Sequence, residues 1–283
     1  MNIFDLVIFG GMGDLSRRKL LPALYNGLAA GLVDDATRIF LTTRSEVSEG
    51  PASWLKGVLD AYTPSCGLDA AVFERFVSMV HFVQLDLTAA DAGTSAHANW
   101  QAFAQSLEGG AVLASGAARP VVHFLAIPPG LFASTCTLLG QFGLNGERTR
   151  VVIEKPLGHD QASANTINAQ VAEHFGEAQT FRIDHYLGKE AVQNLLALRF
   201  SNVLFEELWS SKTIDHIQIT LAEDLGVEGR SAFYEGTGAM RDMVQNHLLQ
   251  LLCLVAMEPP ARMDAASIRE EKLKVLRALE PIG

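Results

Sequence analysis

The chain has 283 residues, about two domains' worth, and its 48% apolar and 19% charged content excludes a disordered tail or a small disulfide-stapled scaffold. Its 22 basic and 32 acidic residues give a net charge of −10. That leaves no basic surplus for a nucleic-acid backbone, while a local cationic pocket for a small phosphorylated ligand stays open.

The opening Met1-Asn2-Ile3-Phe4-Asp5 lacks the basic n-region and long apolar stretch of a signal peptide. Phe4 to Phe9 reads as a strand that stops at Gly10-Gly11. Leu15, Leu20, Leu21, Leu24 and Leu28 then recur near helical spacing, closed by Gly31. Further strands are predicted at Arg38–Thr42, His81–Leu85, Val121–Ala126 and Val151–Glu154, with helices around Trp54–Tyr62, Ala96–Leu107 and Leu131–Phe142. Alternation of helices with near-continuous apolar strands predicts a Rossmann-like doubly wound parallel sheet over residues 1–178. After Lys155-Pro156, a helix over Asp160–Phe175, a strand over Gln179–Ile183, a helix over Lys189–Phe200 and a long alternating strand over Ile214–Glu223 are expected. A glycine-rich bend (Gly226, Gly229, Gly236, Gly238) leads into an apolar helix from about Arg241 to Met257, and Ser267-x-x-Glu270 reads as a capping box opening a last helix. Residues 179–283 thus form the start of an α+β domain. Its apolar run Leu248–Met257 is too short to span a bilayer. Cys66, Cys136 and Cys253 lack C-x-x-C spacing, which fits a reducing compartment. A cytoplasmic chain without membrane or nucleic-acid partners is expected.

Three constellations carry chemistry. The first is Gly10-Gly11-Met12-Gly13-Asp14-Leu15, between a strand and a helix. Glycines let a backbone approach a pyrophosphate, and the helix N-terminus favours its charge; an ordinary turn needing glycine for φ > 0 is the alternative. The second is the end of the second strand, Leu41-Thr42-Thr43-Arg44. An acid there would bind a ribose 2′-hydroxyl and an arginine a 2′-phosphate, so NADP is favoured over NAD, unless Arg44 is a solvated surface charge. Asp86-Leu87 and Ala126-Ile127-Pro128-Pro129 follow the next two strands, where open α/β sheets bind ligands. The third is the polar string Arg182–Glu190 together with Arg241-Asp242-Met243-Val244-Gln245-Asn246-His247. On α-helical spacing Asp242 and His247 point to different sides, and His247 on an apolar stripe reads equally as a core residue or a base.

Gly-Gly-Met-Gly-Asp-Leu, Glu154-Lys155-Pro156-Leu157-Gly158, the Arg182–Glu190 string and Gly238–Gln250 occur in this order. Together they resemble the glucose-6-phosphate dehydrogenase family along essentially the whole chain. The resemblance implies oxidation of glucose 6-phosphate at C1 to 6-phosphoglucono-1,5-lactone with NADP⁺, the entry to the oxidative pentose phosphate pathway. It implies His247 as general base and Asp184 as its carboxylate partner. His185, Tyr186 and Lys189 would hold the phosphate, and Lys155, Glu223 and Asp242 the sugar. The cofactor would lie against Gly10, Gly13, Asp14, Leu15, Arg44, Asp86, Leu87, Pro128 and Lys155, and no residue is assigned to a metal. Met12 stands where the family usually has a hydroxyl residue. Family chains are longer: their large antiparallel sheet, further basic contacts and usual homo-oligomer surface are mostly missing from this sequence. An inactive NADP-binding fragment is therefore the main alternative. Another two-domain NAD(P)-dependent sugar oxidoreductase fits the Asp184–Tyr186 and Asp242–His247 strings less well.

Overall fold

The computed structural model describes residues 3–45, 47, 50–63, 68–158, 160–222 and 231–280. Two compact units divide between Ile183 and Asp184.

The first unit is one parallel six-stranded sheet: β1 (Asp5–Phe9), β2 (Arg38–Thr43), β3 (Val80–Gln84), β4 (Val121–Leu125), β5 (Thr149–Glu154) and β6 (Thr180–Ile183). The order is β3-β2-β1-β4-β5-β6, that of a dinucleotide-binding sheet whose strand order reverses beside β1. Every residue of β1 is buried, and its alternation serves both faces. Leu6 and Ile8 pack with Leu21, Leu55 and Phe76 on one side, Val7 and Phe9 with Trp100, Phe132 and Phe175 on the other. The helices supplying those layers are α1 (Leu21–Ala29), preceded by a π-helical turn Ser16–Leu20, α2 (Pro51–Tyr62), α3 (Ala70–Met79), α4 (Ser95–Glu108), α5 (Phe132–Gln141) and α6 (Gln161–Ala172). The doubly wound expectation holds. Helix α3 is additional: Asp69 caps it by accepting from the Val72 N–H at 2.9 Å, and it runs without a break into β3. The sequence reading places the domain boundary after residue 178, ahead of β6. In the structure β6 pairs in register with β5, Val151 opposite Thr180 and Glu154 opposite Ile183, and lies in the first unit.

His123, on β4, is fully buried, and its Nε2 lies 2.9 Å from the Leu144 carbonyl. Burial pushes its pKa down to about 4. The unfolded chain binds this proton near pH 6.5 and the native state only near pH 4, so the contribution to stability is full above 6.5 and is lost as pH falls through that window. The lowering is worth roughly 3 kcal/mol. His123→Phe, which fills the site without titrating, is expected to flatten the fall in urea midpoint between pH 6.5 and 4. An unchanged pH slope would defeat this.

The second unit, as described, is helical: α7 (Glu190–Phe200), α8 (Val203–Glu206), α9 (Ser231–Ala239), a π-helical stretch Met240–Leu248, α10 (Leu249–Ala256) and α11 (Ala265–Arg277). Val192, Leu254 and Met257 centre its core, joined by Leu195, Leu251 and Ile268. Arg199 closes the end of α10, donating to the carbonyls of Leu254 at 2.6 Å and Met257 at 2.9 Å. Cys253 is buried beside it.

Three expectations need correction here. No strand forms over 214–222: the period-2 pattern is present, but a strand exists only against a partner, and no strand is formed among the described residues of this unit. Helix α11 is opened not by a Ser267–Glu270 box but by Asp264, whose carboxylate accepts from the Ser267 N–H at 2.8 Å. Aspartate is at least as good a cap as serine, and it sits one turn earlier. The apolar helix also starts before Arg241, at Ser231, and breaks at Gly238, where φ is +69°. Glu223, Gly226 and Gly229 lie outside the described residues. No helix among the described residues is long and apolar enough to cross a membrane.

Candidate active site

In the first unit the residues singled out by sequence follow the C-terminal ends of successive parallel strands, and so share one sheet edge. The glycine turn follows β1, Arg44 follows β2, Asp86 and Leu87 follow β3, Pro128 follows β4 and Lys155 follows β5. The turn is built tightly. Gly10 has φ +81°, and a Cβ there would stand 2.4 Å from the Ala126 carbonyl oxygen. A Cβ at Gly11 would meet Leu41 Cβ at 2.6 Å. The Thr42 side chain and carbonyl accept from the N–H groups of Gly10 and Gly11 at 3.2 and 3.1 Å. Both glycines are thus required by the fold itself. Gly13 differs: it is exposed, and its Cβ would meet only turn carbonyls, at 3.0 and 4.0 Å. Beyond it the helix starts through Asp14 and Leu15, where first-turn N–H groups have no partner within the helix. This open helix start, at the point where strand order reverses, fits a dinucleotide phosphate.

Asp14 itself faces outward and pairs with Arg18 at 2.7 Å. Asp86 is exposed, and its carboxylate accepts from the Thr88 hydroxyl at 2.6 Å and N–H at 2.8 Å. Those bonds, the hydroxyl's first, hold its pKa below the ordinary range, with a smaller pull from the Arg44 charge. Arg44 is exposed, and its carbonyl accepts from Gln84 Nε2 at 3.1 Å. Lys155 is half-buried and begins a loop pinned to α6. A Cβ at Gly158 (φ +98°) would stand 2.6 Å from Ala164 N, and Asp160 caps α6 by accepting from Ser163 N–H at 2.7 Å.

In the second unit, the 3-10 turn His185–Gly188 is opened by Asp184, which accepts from the Tyr186 N–H at 2.9 Å. The same oxygen, Oδ1, lies 2.6 Å from His247 Nδ1. The imidazole is 0% exposed and the carboxylate 15%. The Tyr186 ring stacks on His247, centroids 4.0 Å apart and planes 21° apart, and the His185 ring meets it edge-on at 4.6 Å. Lys189 Nζ sits 3.6 Å from the Tyr186 ring centroid, close enough for a cation–π contact. Residues 63 apart in sequence are thereby joined in one cluster around the buried His247 imidazole. Donor atoms of Asp184, His185 and His247 lie within 4.8 Å of one another.

His247 sits in the π-helical stretch, where Asn246 Nδ2 also donates to the Arg241 carbonyl at 2.8 Å. In π winding, residues five apart are hydrogen-bonded neighbours. The α-helical argument that sets Asp242 and His247 on different sides therefore does not apply, and Asp242 lies half-buried in the first turn of this stretch. A carboxylate on Nδ1 fixes that nitrogen as the N–H and leaves Nε2 as the basic one. The pair can take a proton and stabilise the resulting imidazolium. Sequence reading missed the contact of Lys272 Nζ with Gln250 Oε1 at 3.0 Å, three residues beyond His247. Nothing in the pattern of α11 sets that lysine apart from Lys274.

Strand order and glycine turn define a doubly wound dinucleotide-fold protein carrying a second unit with a buried imidazole–carboxylate pair. The sequence model described as glucose-6-phosphate dehydrogenase, NAD binding domain, matches residues 7–194, and that of the C-terminal domain matches residues 196–283. The chain belongs to the glucose-6-phosphate dehydrogenase family. It is 45% identical to the glucose-6-phosphate 1-dehydrogenase of Rhizobium meliloti (strain 1021) over 99% of its own length and 54% of the relative's. Against that of Mycolicibacterium smegmatis the identity is 48%, over 98% and 54%. A glucose-6-phosphate dehydrogenase solved in complex with its substrate glucose-6-phosphate superposes with a TM-score of 0.88 at 34% identity, over 100% of this chain and 57% of that one. The Mycobacterium avium enzyme gives 0.82 at 35%, over 98% and 57%. The chain spans about half the length of the curated relatives it matches.

Proposed function

We propose that this protein is an NADP-dependent glucose-6-phosphate dehydrogenase, oxidising the sugar at C1 to 6-phosphoglucono-1,5-lactone. The observation that carries this reading is the buried 2.6 Å contact between His247 and Asp184, in a chain of this family. His247 Nε2 takes the C1 hydroxyl proton while Asp184 fixes the tautomer and faces the imidazolium as it forms. The C1 hydrogen leaves with its electron pair, and the nicotinamide, when bound, supplies the acceptor for that hydride. His185, Tyr186 and Lys189 hold the substrate phosphate, so that remote binding energy orients C1. Lys155, Glu223 and Asp242 hold the sugar. The open helix start at Asp14 and Leu15 takes the cofactor pyrophosphate, with Gly10 and Gly13 shaping the turn, whose Gly13 N–H donates to the Gly10 carbonyl at 2.8 Å, and Asp86, Leu87, Pro128 and Lys155 line the same sheet edge. The setting is the cytoplasmic entry to the oxidative pentose phosphate pathway.

Arg44 takes the 2′-phosphate that separates NADP from NAD, a discrimination that rests on its charge because Met12 offers no hydroxyl. Loss of one charge-assisted contact costs ~1.5–3 kcal/mol, so Arg44→Ala is expected to weaken NADP⁺ binding ~10–100-fold and leave NAD⁺ binding nearly unchanged. Equal losses for both cofactors would remove Arg44 from the site. The reading as a whole is tested by an initial-rate assay with glucose 6-phosphate and NADP⁺, following reduced nicotinamide by absorbance. Turnover abolished by His247→Ala supports it. The alternative reading is an inactive nucleotide-binding form. No turnover from a sample that binds NADP⁺ would select that one.

A further inference from the structure

One turn beyond His247 a charge is held that the proposed chemistry does not use. Lys272 projects from α11 into the packing against α10 and is half-buried. Its Nζ donates to Gln250 Oε1 at 3.0 Å, and Gln250 is three residues beyond His247, one turn along the same helical path. The α11 backbone is tied down at this residue too, because Cys253 Sγ donates to the Lys272 carbonyl at 3.6 Å. Neighbouring Glu271 does not take the ammonium, being paired with Lys274 at 2.6 Å. A long cationic side chain ordinarily turns its head to water. Here the head is held inward by a neutral amide.

We propose that Lys272 is a positioning residue of this site: its ammonium, seated on Gln250, is the fixed cation near Asp184 against which the His247 imidazole must accept a proton. The inference rests on the proposed role of His247. The electrostatics of the lysine agree with it. Burial lowers the Lys272 pKa, and the facing Cys253 sulfur and Asp184 carboxylate oppose that lowering. Other groups bear on the same imidazole. The His185 ring meets it edge-on, Lys189 lies across the stacked Tyr186 ring, and Asp242 precedes it in the π-helical stretch. Lys272 differs from these in coming from α11 and in having its ammonium held by a neutral amide, Gln250. A cation there opposes imidazolium formation and keeps the base neutral near working pH. The carboxylate alone would pull the other way.

The test is a histidine-ring titration by ¹⁵N-edited NMR on the 283-residue chain. The His247 resonance, one of eight histidines, is assigned by its loss in His247→Asn. Lys272→Met is expected to raise the His247 titration midpoint by about one pH unit, the size of a unit charge acting across a partly screened interior. Lys272→Arg, which keeps the charge, is expected to restore the wild-type midpoint. A merely structural lysine would lower thermal stability without moving the midpoint, so an unmoved midpoint in folded Lys272→Met overturns the proposal. If Lys272→Met does not fold, Lys272→Gln is read in the same way. The titration needs no turnover. A chain that fails to reduce NADP⁺ would therefore defeat the proposed activity and leave this result standing.

Discussion

Asp184→Asn is expected to lower kcat with glucose 6-phosphate and NADP⁺ by ~10²–10⁴-fold, the range spanned by a positioned general base and by loss of its orienting carboxylate. The change in volume is negligible, and the Tyr186 N–H keeps an acceptor in the amide oxygen. What is lost is the definition of the imidazole. Asp184 Oδ1 sits 2.6 Å from His247 Nδ1, and a carboxylate can only accept there, so the proton is on Nδ1 and Nε2 is basic. An amide can also donate, which allows the other tautomer and a protonated Nε2. His247→Ala should cost a similar factor. The double variant should cost no more than the worse single one, because groups acting as a unit are not additive. Nucleotide affinity should survive in all three, since the glycine turn, Arg44 and Asp86 belong to the first unit with its own core. Parallel loss of nucleotide affinity and turnover would return His247 to the other reading its apolar stripe allows, a satisfied core residue.

What the sequence could and could not show follows from the range of each interaction. The parallel sheet was legible because each strand is a short apolar run ended by a turn, and β1 buries all five of its residues. Helix α3 was hidden by its continuity with β3, although Asp69 followed by Val72, Phe73, Phe76 and Val77 carries a cap and a helical face. The Ile214–Glu223 pattern misleads in the opposite direction. Alternation records what a strand would need, while pairing depends on residues elsewhere. At the site, Asp184 and His247 are 63 positions apart, so their contact cannot be read from local pattern and was expected only through resemblance to a family. The π-helical winding over Met240–Leu248 leaves no mark in hydrophobic periodicity, so the α-helical angle between Asp242 and His247 is not one the sequence could set. Lys272 is illegible for a related reason. Its burial is decided by how α11 packs on α10, and α11 has exposed lysine and arginine neighbours in the same turns.

The second large effect is expected at the sheet edge away from the glycine turn. Asp5, at the start of β1, is completely buried and accepts from Arg38 Nη2 at 2.6 Å and Nε at 2.8 Å, and from Arg119 Nη1 at 3.3 Å. Arg38 opens β2 and Arg119 precedes β4, so one carboxylate ties together the three central strands of the sheet. Both guanidiniums have further anchors: Arg38 donates to the Ser106 carbonyl at 2.9 Å, and Arg119 to that of Ala36 at 2.7 Å. Asp5→Ala leaves two anchored cations facing a void. Breaking a buried ion pair on one side costs ~3–5 kcal/mol. The arginine side chains are 24% and 13% exposed, and water reaching them places the expected loss near the lower end of that range. Against a total stability of ~5–15 kcal/mol, urea denaturation would resolve it easily. Asp5→Leu combined with Arg38→Met should recover part of the loss, because it removes one of the two uncompensated charges and leaves Arg119 held by the Ala36 carbonyl. If the single and double variants were equally unstable, the carboxylate would be holding the strands by geometry alone. Affinity for the nucleotide should be unaffected at temperatures where the variants stay folded, because the glycine turn lies at the opposite end of β1.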